Sequence, residues 1–214
     1  MKGQKESRFD FLLSNKFKSN ATFFMSIIAI ALFVVYPTRT RELCMYAILI
    51  STLADLVLMD YKNIPGIVLG KNRFYAGMAL FGITHIMYII CFSNMMLQNG
   101  VFIHTPQINI AFGAFGVIYA FSLITSAFMA YRKSKHFCIA AIIYVMIICF
   151  SLGSIYLSAT VLGGKYYLAA TGITFFWISD MLILIRETKK DTPLIRKLIW
   201  VFYPIGQLMI VLSI

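Results

Sequence analysis

Long apolar stretches separated by short polar segments fill most of the 214-residue chain. Each stretch is close to the roughly 20 residues that an α-helix needs to cross a bilayer. The stretches are 21–38, 43–60, 76–96, 108–131, 136–157, 166–185 and 198–214. This pattern predicts an all-α protein, a polytopic transmembrane bundle of about seven helices. It divides the chain into a basic N-terminal tail, 1–20, and a single transmembrane helical domain, 21–214.

Basic residues are concentrated in alternate segments between the apolar stretches, which is the positive-inside pattern. Sixteen Lys and Arg residues lie in the N-terminal tail and in the loops that would share its side of the membrane. The remaining three, Arg39, Arg41 and Lys165, lie in the other loops. The asymmetry predicts a cytoplasmic N-terminus, and an even number of spans would disrupt it.

The composition excludes a soluble protein. The chain is 60% hydrophobic and 13% charged, whereas an ordinary globular domain has about a quarter of charged residues. A net charge of +11 would suggest nucleic-acid binding in a soluble protein, but here the basic residues follow the loop pattern. We therefore expect membrane lipids and no nucleic acid as partners. The absence of a targeting extension leads us to expect a multi-pass protein of a bacterial cytoplasmic membrane.

Metal and cofactor sites are not expected. The four cysteines lie within apolar stretches without C-x-x-C spacing, so we interpret them as packing residues. They are Cys44, Cys91, Cys138 and Cys149. No histidine pair has the spacing of metal ligands, and no phosphate-binding glycine loop, nucleophile elbow or H-E-x-x-H motif occurs. We therefore expect no cofactor.

Two of the eight acidic residues, Asp55 and Asp180, lie inside apolar stretches. A carboxylate within a bilayer costs a few kcal/mol unless it faces a polar interior, so each is a functional candidate. The alternative is a structural aspartate hydrogen-bonded between helices. Asp55 precedes Lys62 by seven residues and Asp180 precedes Arg186 by six, which puts both about 10 Å below the same helix ends. The sequence thus predicts that both carboxyl groups share one cavity.

Four further polar side chains lie at neighbouring depths. Tyr203 in the last stretch reaches a similar depth, and Gln207 follows four residues later on the same helix face. His85 and Tyr88 share a face of the third stretch. His85 could orient a carboxylate or a water molecule, or it could simply bond to a neighbouring helix.

Several short motifs resemble the YhhN-like lysoplasmalogenase family of multi-pass membrane proteins. In chain order they are Asp55-Leu56-Val57-Leu58, then Phe74, Gly77, Phe81, His85 and Tyr88, then Ser179-Asp180, then Tyr203 and Gln207. Their order and spacing hold from about residue 16 to the end of the chain. The chain departs from the family pattern in having Ala54 where a glycine is usual. It also has seven predicted spans where many members have eight.

The resemblance implies hydrolysis of the vinyl ether bond of lysoplasmalogens. The products would be a fatty aldehyde and glycerophosphoethanolamine or glycerophosphocholine, and the resemblance implies Asp55 and Asp180 as the catalytic pair. The reaction needs one acid and one base. Two carboxyl groups in one low-dielectric site avoid carrying two full charges, so one can be protonated while the other is ionised. The apolar neighbours of Asp55 slightly favour it as the acid.

Four basic residues are predicted near the headgroup layer above the two aspartates. They are Lys18, Lys62, Arg73 and Arg186. They could hold the phosphate of a lysophospholipid substrate, or they could serve only to set the topology. Among these we select Lys18 and Arg73, together with His85, Tyr88, Tyr203 and Gln207, as substrate-binding or orienting residues.

Two other classes of function remain open at this point. A small proton-coupled transporter of solutes or lipids also places paired acids in a polar cavity. A non-catalytic sensor or assembly partner is less compatible with a chain that has so little soluble surface. The sequence does not predict the oligomeric state, the headgroup or the chain length of the substrate.

Overall fold

The computed structural model describes residues 14–100, 106–189 and 191–214. Across these ranges the chain forms eight α-helices and no strand. They are α1 (Asn15–Val35), α2 (Arg39–Leu58), α3 (Ile64–Leu69), α4 (Arg73–Gln98), α5 (Pro106–Tyr131), α6 (Lys135–Leu162), α7 (Tyr166–Thr188) and α8 (Pro193–Ser213). The seven long helices coincide with the seven predicted stretches, so the all-α prediction is confirmed. Most of the predicted N-terminal tail lies outside the described residues, and α1 begins within its last part.

Several helices are suited to a bilayer by length and composition. Five of them, α1, α4, α6, α7 and α8, are individually long and apolar enough to cross a membrane. Helix α2 meets the same criterion only together with Tyr61–Leu69, from which it is bent by 75°. Helix α2 is less apolar because it carries charged residues at its start and Asp55 near its end. These helices indicate a polytopic membrane protein.

Six of the long helices form a closed ring. Around the ring α1 packs on α2, α2 on α4, α4 on α6, α6 on α7, α7 on α8, and α8 returns to α1. Helix α5 lies outside the ring and packs against α6 and α7. The interior of the ring therefore receives side chains from helices that are far apart in sequence, including α2 and α7 with the two buried aspartates.

Side-chain caps define where four of the long helices begin. The hydroxyl oxygens of Ser14, Thr38, Ser134 and Thr192 each accept a hydrogen bond from the backbone N–H three residues later. Each cap satisfies an N–H group that has no partner within its helix. Because these residues lie in the short polar segments, they fix the helix starts at the ends of the apolar stretches.

The segment between α2 and α4 is more ordered than a plain polar loop. The backbone of Asp60 is left-handed, and its carboxylate accepts a hydrogen bond from the Gly66 N–H at 2.6 Å. The other carboxylate oxygen of Asp60 lies 2.6 Å from Arg73 Nη1. The short helix α3 exposes the apolar side chains of Ile64 and Ile67. Asp60 therefore ties this segment to the first residue of α4.

Basic side chains gather at one end of the ring, which we call the basic end and define by Lys18, Arg73, Lys133, Arg186 and Arg196. Glu187 joins two of them, because its carboxylate lies 2.9 Å from both Lys133 Nζ and Arg186 Nη2. This is the end that the sequence predicts to face the cytoplasm.

Candidate active site

A cavity of about 420 Å³ lies inside the ring at the basic end. Its walls come from α1, α2, α4, α7 and α8. Both Asp55 and Asp180 line it, and each is almost completely buried. The depth estimate from the sequence therefore agrees with the structure, which brings the two carboxyl groups to the same cavity from opposite parts of the chain.

Asp55 accepts a short hydrogen bond within a buried network. Tyr203 donates its hydroxyl proton to Asp55 Oδ2 at 2.6 Å. The oxygen of Tyr203 lies 2.7 Å from Ser51 Oγ, and Gln207 Nε2 donates to Ser51 Oγ. Tyr203 uses its single hydroxyl proton for the bond to Asp55, so the Ser51 hydroxyl must donate the hydrogen bond to the Tyr203 oxygen. The hydrogen bonds therefore run in one direction, from Gln207 to the carboxylate of Asp55.

Asp180 has looser partners than Asp55. Tyr144 donates its hydroxyl proton to Asp180 Oδ2 at 3.3 Å, and His85 Nε2 lies 3.5 Å from the same oxygen. The imidazole of His85 is fully buried and packs against the ring of Phe176, with 4.6 Å between the ring centroids. His85 is thus held beside Asp180, at the limit of hydrogen-bond distance.

The cavity mouth carries three cations, Lys18, Arg73 and Arg186. Arg73 is paired with Asp60, and Arg186 is paired with Glu187. Lys18 makes a cation–π contact with Trp200, at 5.4 Å from Nζ to the ring centroid. In the part of the chain that the structure describes, Lys18 has no acidic partner within ion-pair distance. The mouth is therefore suited to an anionic group.

Aromatic rings close the cavity beyond the carboxyl groups. Phe81, Phe176 and Tyr203 are buried and contact one another edge to face, with ring centroids 5.2–6.0 Å apart. This arrangement is a favourable one for aromatic pairs. Phe81 and Tyr203 line the cavity, and Phe176 packs against both of them.

Four of the residues considered in the sequence do not line the cavity, namely His85, Tyr88, Gln207 and Lys62. Tyr88 is fully buried one helix turn beyond His85, with 6.2 Å between the two ring centroids, and it does not line the cavity wall. Lys62 lies in the segment before α3, where its Nζ is 5.4 Å from the centroid of Tyr61, beside a separate pocket. Lys62 is therefore not among the cations at the cavity, because the chain turns away from it after Asp60.

The described residues offer no metal site. Over 14–100, 106–189 and 191–214, no three His, Cys, Asp or Glu side chains come together in a way that would hold a metal ion. The chemistry that the site offers is that of two carboxyl groups, an imidazole and phenol hydroxyls.

Comparison with known protein families shows to which family the chain belongs. The sequence model described as the YhhN family matches residues 19–214, which is nearly the whole chain. The chain belongs to the YhhN family. Neither the curated proteins nor the solved structures contain a match to it.

The YhhN-family motifs seen in the sequence converge in the structure. Asp55 on α2, Asp180 on α7 and Tyr203 on α8 line one cavity, and His85 on α4 lies behind its wall, 3.5 Å from Asp180. Gln207 reaches the same group through Ser51. Residues of four separate motifs are thus brought together by the ring packing of the helices.

Three members of the site were not selected from the sequence. Ser51 lies four residues before Asp55, and this spacing on one helix face could have indicated it. Tyr144 lies in an apolar stretch without any motif, and its contact with Asp180 depends on how α6 packs against α7. Trp200 lines the cavity beside Lys18 and carried no signal of its own.

Proposed function

We propose that this YhhN-family protein hydrolyses the vinyl ether bond of lysoplasmalogens. The products are a fatty aldehyde and glycerophosphoethanolamine or glycerophosphocholine. The observation that carries the proposal is the pairing of Asp55 and Asp180 in a buried cavity beneath a mouth of three cations. Membership of the YhhN family supports the same class of reaction.

The reaction requires an acid and a base in one site that also admits a water molecule. The acid protonates the β-carbon of the vinyl ether, which produces an oxocarbenium ion. Water adds to this cation and loses a proton to the base, and the resulting hemiacetal collapses to aldehyde and alcohol. A pair of carboxyl groups supplies both functions when one is protonated and the other ionised. The ionised partner also stabilises the cation electrostatically.

The hydrogen bonds support Asp55 as the base and Asp180 as the acid. Asp55 is the final acceptor of the one-way network through Tyr203, which stabilises its negative charge. Among the described residues, Asp180 has two long contacts, to Tyr144 at 3.3 Å and to His85 at 3.5 Å. This assignment is the reverse of the slight preference that the apolar neighbours of Asp55 indicated in the sequence.

The layout of the cavity supports a lysophospholipid as the substrate. The phosphate would lie near Lys18, Arg73 and Arg186 at the mouth, where Arg and Lys bind phosphate oxygens well. The vinyl ether of such a lipid lies just below its headgroup, at the depth of the two aspartates. The aromatic layer of Phe81, Phe176 and Tyr203 favours a closed reaction chamber over a transport path through the bundle.

The first test is the release of aldehyde from a defined lysoplasmenyl-ethanolamine by detergent-purified protein. In heavy water, the acid delivers a solvent-derived deuteron to the β-carbon. Immediate reduction of the aldehyde product should therefore give an alcohol with one deuterium on the carbon next to the carbinol carbon. The saturated 1-alkyl analogue should not react, since it has no double bond to protonate. The proposal would be contradicted in favour of transport if folded protein released no aldehyde but moved the lipid across the membrane of proteoliposomes.

A Tyr203→Phe substitution is expected to lower turnover while leaving substrate binding nearly unchanged. It removes the hydroxyl that donates to Asp55 at 2.6 Å. A hydrogen bond to a charged group contributes about 1.5–3 kcal/mol, which corresponds to a decrease of roughly 10- to 100-fold in kcat. Steady-state kinetics on the same lysolipid would measure the kcat and KM.

The matched control for Tyr203→Phe is Tyr156→Phe. Tyr156 makes a hydrogen bond of similar length, 2.7 Å, to Thr174 and does not line the cavity. This control should keep the parental kcat. Equal kcat values for the parent and Tyr203→Phe would show that the network from Gln207 to Asp55 plays no part in turnover.

A further inference from the structure

An apolar recess lies beside the cavity, between α4, α6 and α7. Its walls include Met78 on α4, Ala141 and Val145 on α6, and Met181 on α7. Its free volume is about 40 Å³. Among the described residues that line it, all are apolar except Asp180 and one tyrosine, Tyr144. Such a recess binds hydrocarbon and disfavours water.

The recess and the polar cavity lie side by side. They share the side chains of Leu58, Phe74, Phe81, Asp180 and Ile183 as common walls. Asp180 therefore stands where the polar space meets the apolar space. A lysolipid is divided in the same way, with its headgroup on one side of the ether linkage and its hydrocarbon chain on the other.

The outer wall of the recess reaches the surface of the bundle that would face lipid. Met78 and Met181 are only partly buried, and the neighbouring Tyr75 is exposed. Methionine side chains are unbranched and adapt easily to irregular apolar ligands. Because the free volume is small, only the first carbons of a long chain would lie in the recess, and the remainder would extend into the bilayer.

We propose that this recess is the lateral route and binding subsite for the alkenyl chain of the substrate. The lysolipid enters from the surrounding leaflet between α4, α6 and α7, with its vinyl carbons beside Asp180 and its phosphate at the basic end. This inference rests on the proposed function and adds the path and the substrate class. It selects single-chain lipids whose first chain carbons are linear.

The test is to fill the recess with a large side chain and compare substrates of two lengths. Ala141→Trp should reduce hydrolysis of a long-chain lysoplasmalogen by about tenfold or more, because the reacting carbons are misplaced. The 1-ethenyl ether of glycerophosphoethanolamine has no chain carbons beyond the double bond and can reach Asp180 through the polar mouth, so its hydrolysis should stay within about twofold of the parent. Met78→Trp fills the partly exposed wall and provides a second variant if Ala141→Trp does not fold.

The matched control is Ile143→Trp, which adds the same ring to an exposed position of the same helix. This control should hydrolyse both substrates as the parent does. The recess is not the chain subsite if folded Ala141→Trp or Met78→Trp hydrolyses both substrates as the parent does. The same conclusion follows if the variant loses activity towards both substrates equally.

A second measurement separates this inference from the proposed reaction. A saturated 1-alkyl lysolipid with a photoreactive diazirine on the first chain carbons cannot be hydrolysed, yet it should label peptides containing Met78 or Ala141. Unlabelled lysolipid should compete with this labelling. Competed labelling without any aldehyde release from the true substrate would support the subsite and reject the reaction. Labelling spread evenly over the lipid-facing helices would overturn the subsite.

Discussion

Asp55→Asn and Asp180→Asn are each expected to abolish aldehyde release while the helix bundle stays folded. Asparagine has nearly the same shape as aspartic acid, but it neither delivers a proton to the vinyl carbon nor accepts one from water. Loss of a positioned acid or base typically lowers turnover by about 10²–10⁴-fold. Because the proposed mechanism needs both roles in one cycle, either substitution alone should be sufficient.

The stability of these two variants should be close to that of the parent. Asp55 and Asp180 are both almost fully buried, and burying a charged or ionisable group is costly. A neutral amide removes this cost, so the melting temperature in detergent should be unchanged or higher. Normal melting together with lost turnover would separate a catalytic role from a structural one.

Asp191→Asn provides the matched control for the two aspartates. Asp191 is exposed at the basic end, where it pairs with Arg196 at 3.2 Å. This variant should keep parental turnover. The Asp55→Asn/Asp180→Asn double variant should be no slower than either single variant, because the effects of substitutions at residues that act as a unit are not additive. Parental turnover in either single variant would rule out the carboxyl pair.

Gly206→Ala is expected to destabilise the bundle and to disturb the site at the same time. A Cβ atom at Gly206 would lie 2.6 Å from the carbonyl oxygen of Gly172 and 2.9 Å from the backbone nitrogen of Phe176. These are backbone atoms, so they move only if α7 and α8 separate. Overpacking of this kind typically costs about 1–3 kcal/mol.

The loss of activity in Gly206→Ala should exceed what its stability alone explains. Tyr203 and Gln207 lie on α8 beside Gly206, and Asp180 lies on α7. A change in the spacing of these helices therefore moves the hydroxyl of Tyr203 relative to Asp55. Thermal melting in detergent and turnover below the melting transition would measure the two effects. Gly172→Ala should behave in the same way, because the contact is reciprocal.

Gly82→Ala is the control for the glycine substitutions. The nearest atom to a Cβ at Gly82 is a side-chain carbon of Ile147 at 3.6 Å, an ordinary van der Waals distance. Alanine also favours a helix more than glycine does, so this variant should melt at or above the parental temperature. Equal melting temperatures for Gly82→Ala and Gly206→Ala would contradict the close α7–α8 approach.

Much of the architecture followed from the linear pattern. The bilayer requires long apolar stretches with satisfied backbone hydrogen bonds, and only helices provide these within a single segment. The lengths of the stretches and the alternation of basic loops therefore predicted the seven long helices. The short helix α3 was missed, because six residues are too few to produce a hydropathy signal.

The two aspartates could be selected because a carboxyl group in an apolar stretch is costly to insert into a bilayer, which makes it a functional candidate. Their common depth followed from the helix rise and the nearest basic loops. The same reasoning placed Tyr203 near Asp55, to which it is hydrogen-bonded. It also allowed Lys62 to lie near the headgroup site, but Lys62 lies outside the cavity because a left-handed turn at Asp60 redirects the chain.

The sequence by itself determined the long helices, their order and the common depth of Asp55, Asp180 and Tyr203, because hydropathy and helix rise are both read along the chain. Only the tertiary structure decided which side chains face one another across the ring. The contact of Tyr144 with Asp180, the one-way network that ends at Asp55 and the apolar recess beside Asp180 all depend on how each helix is rotated about its axis. That rotation is set by packing between helices distant in sequence, such as the close approach of Gly172 and Gly206.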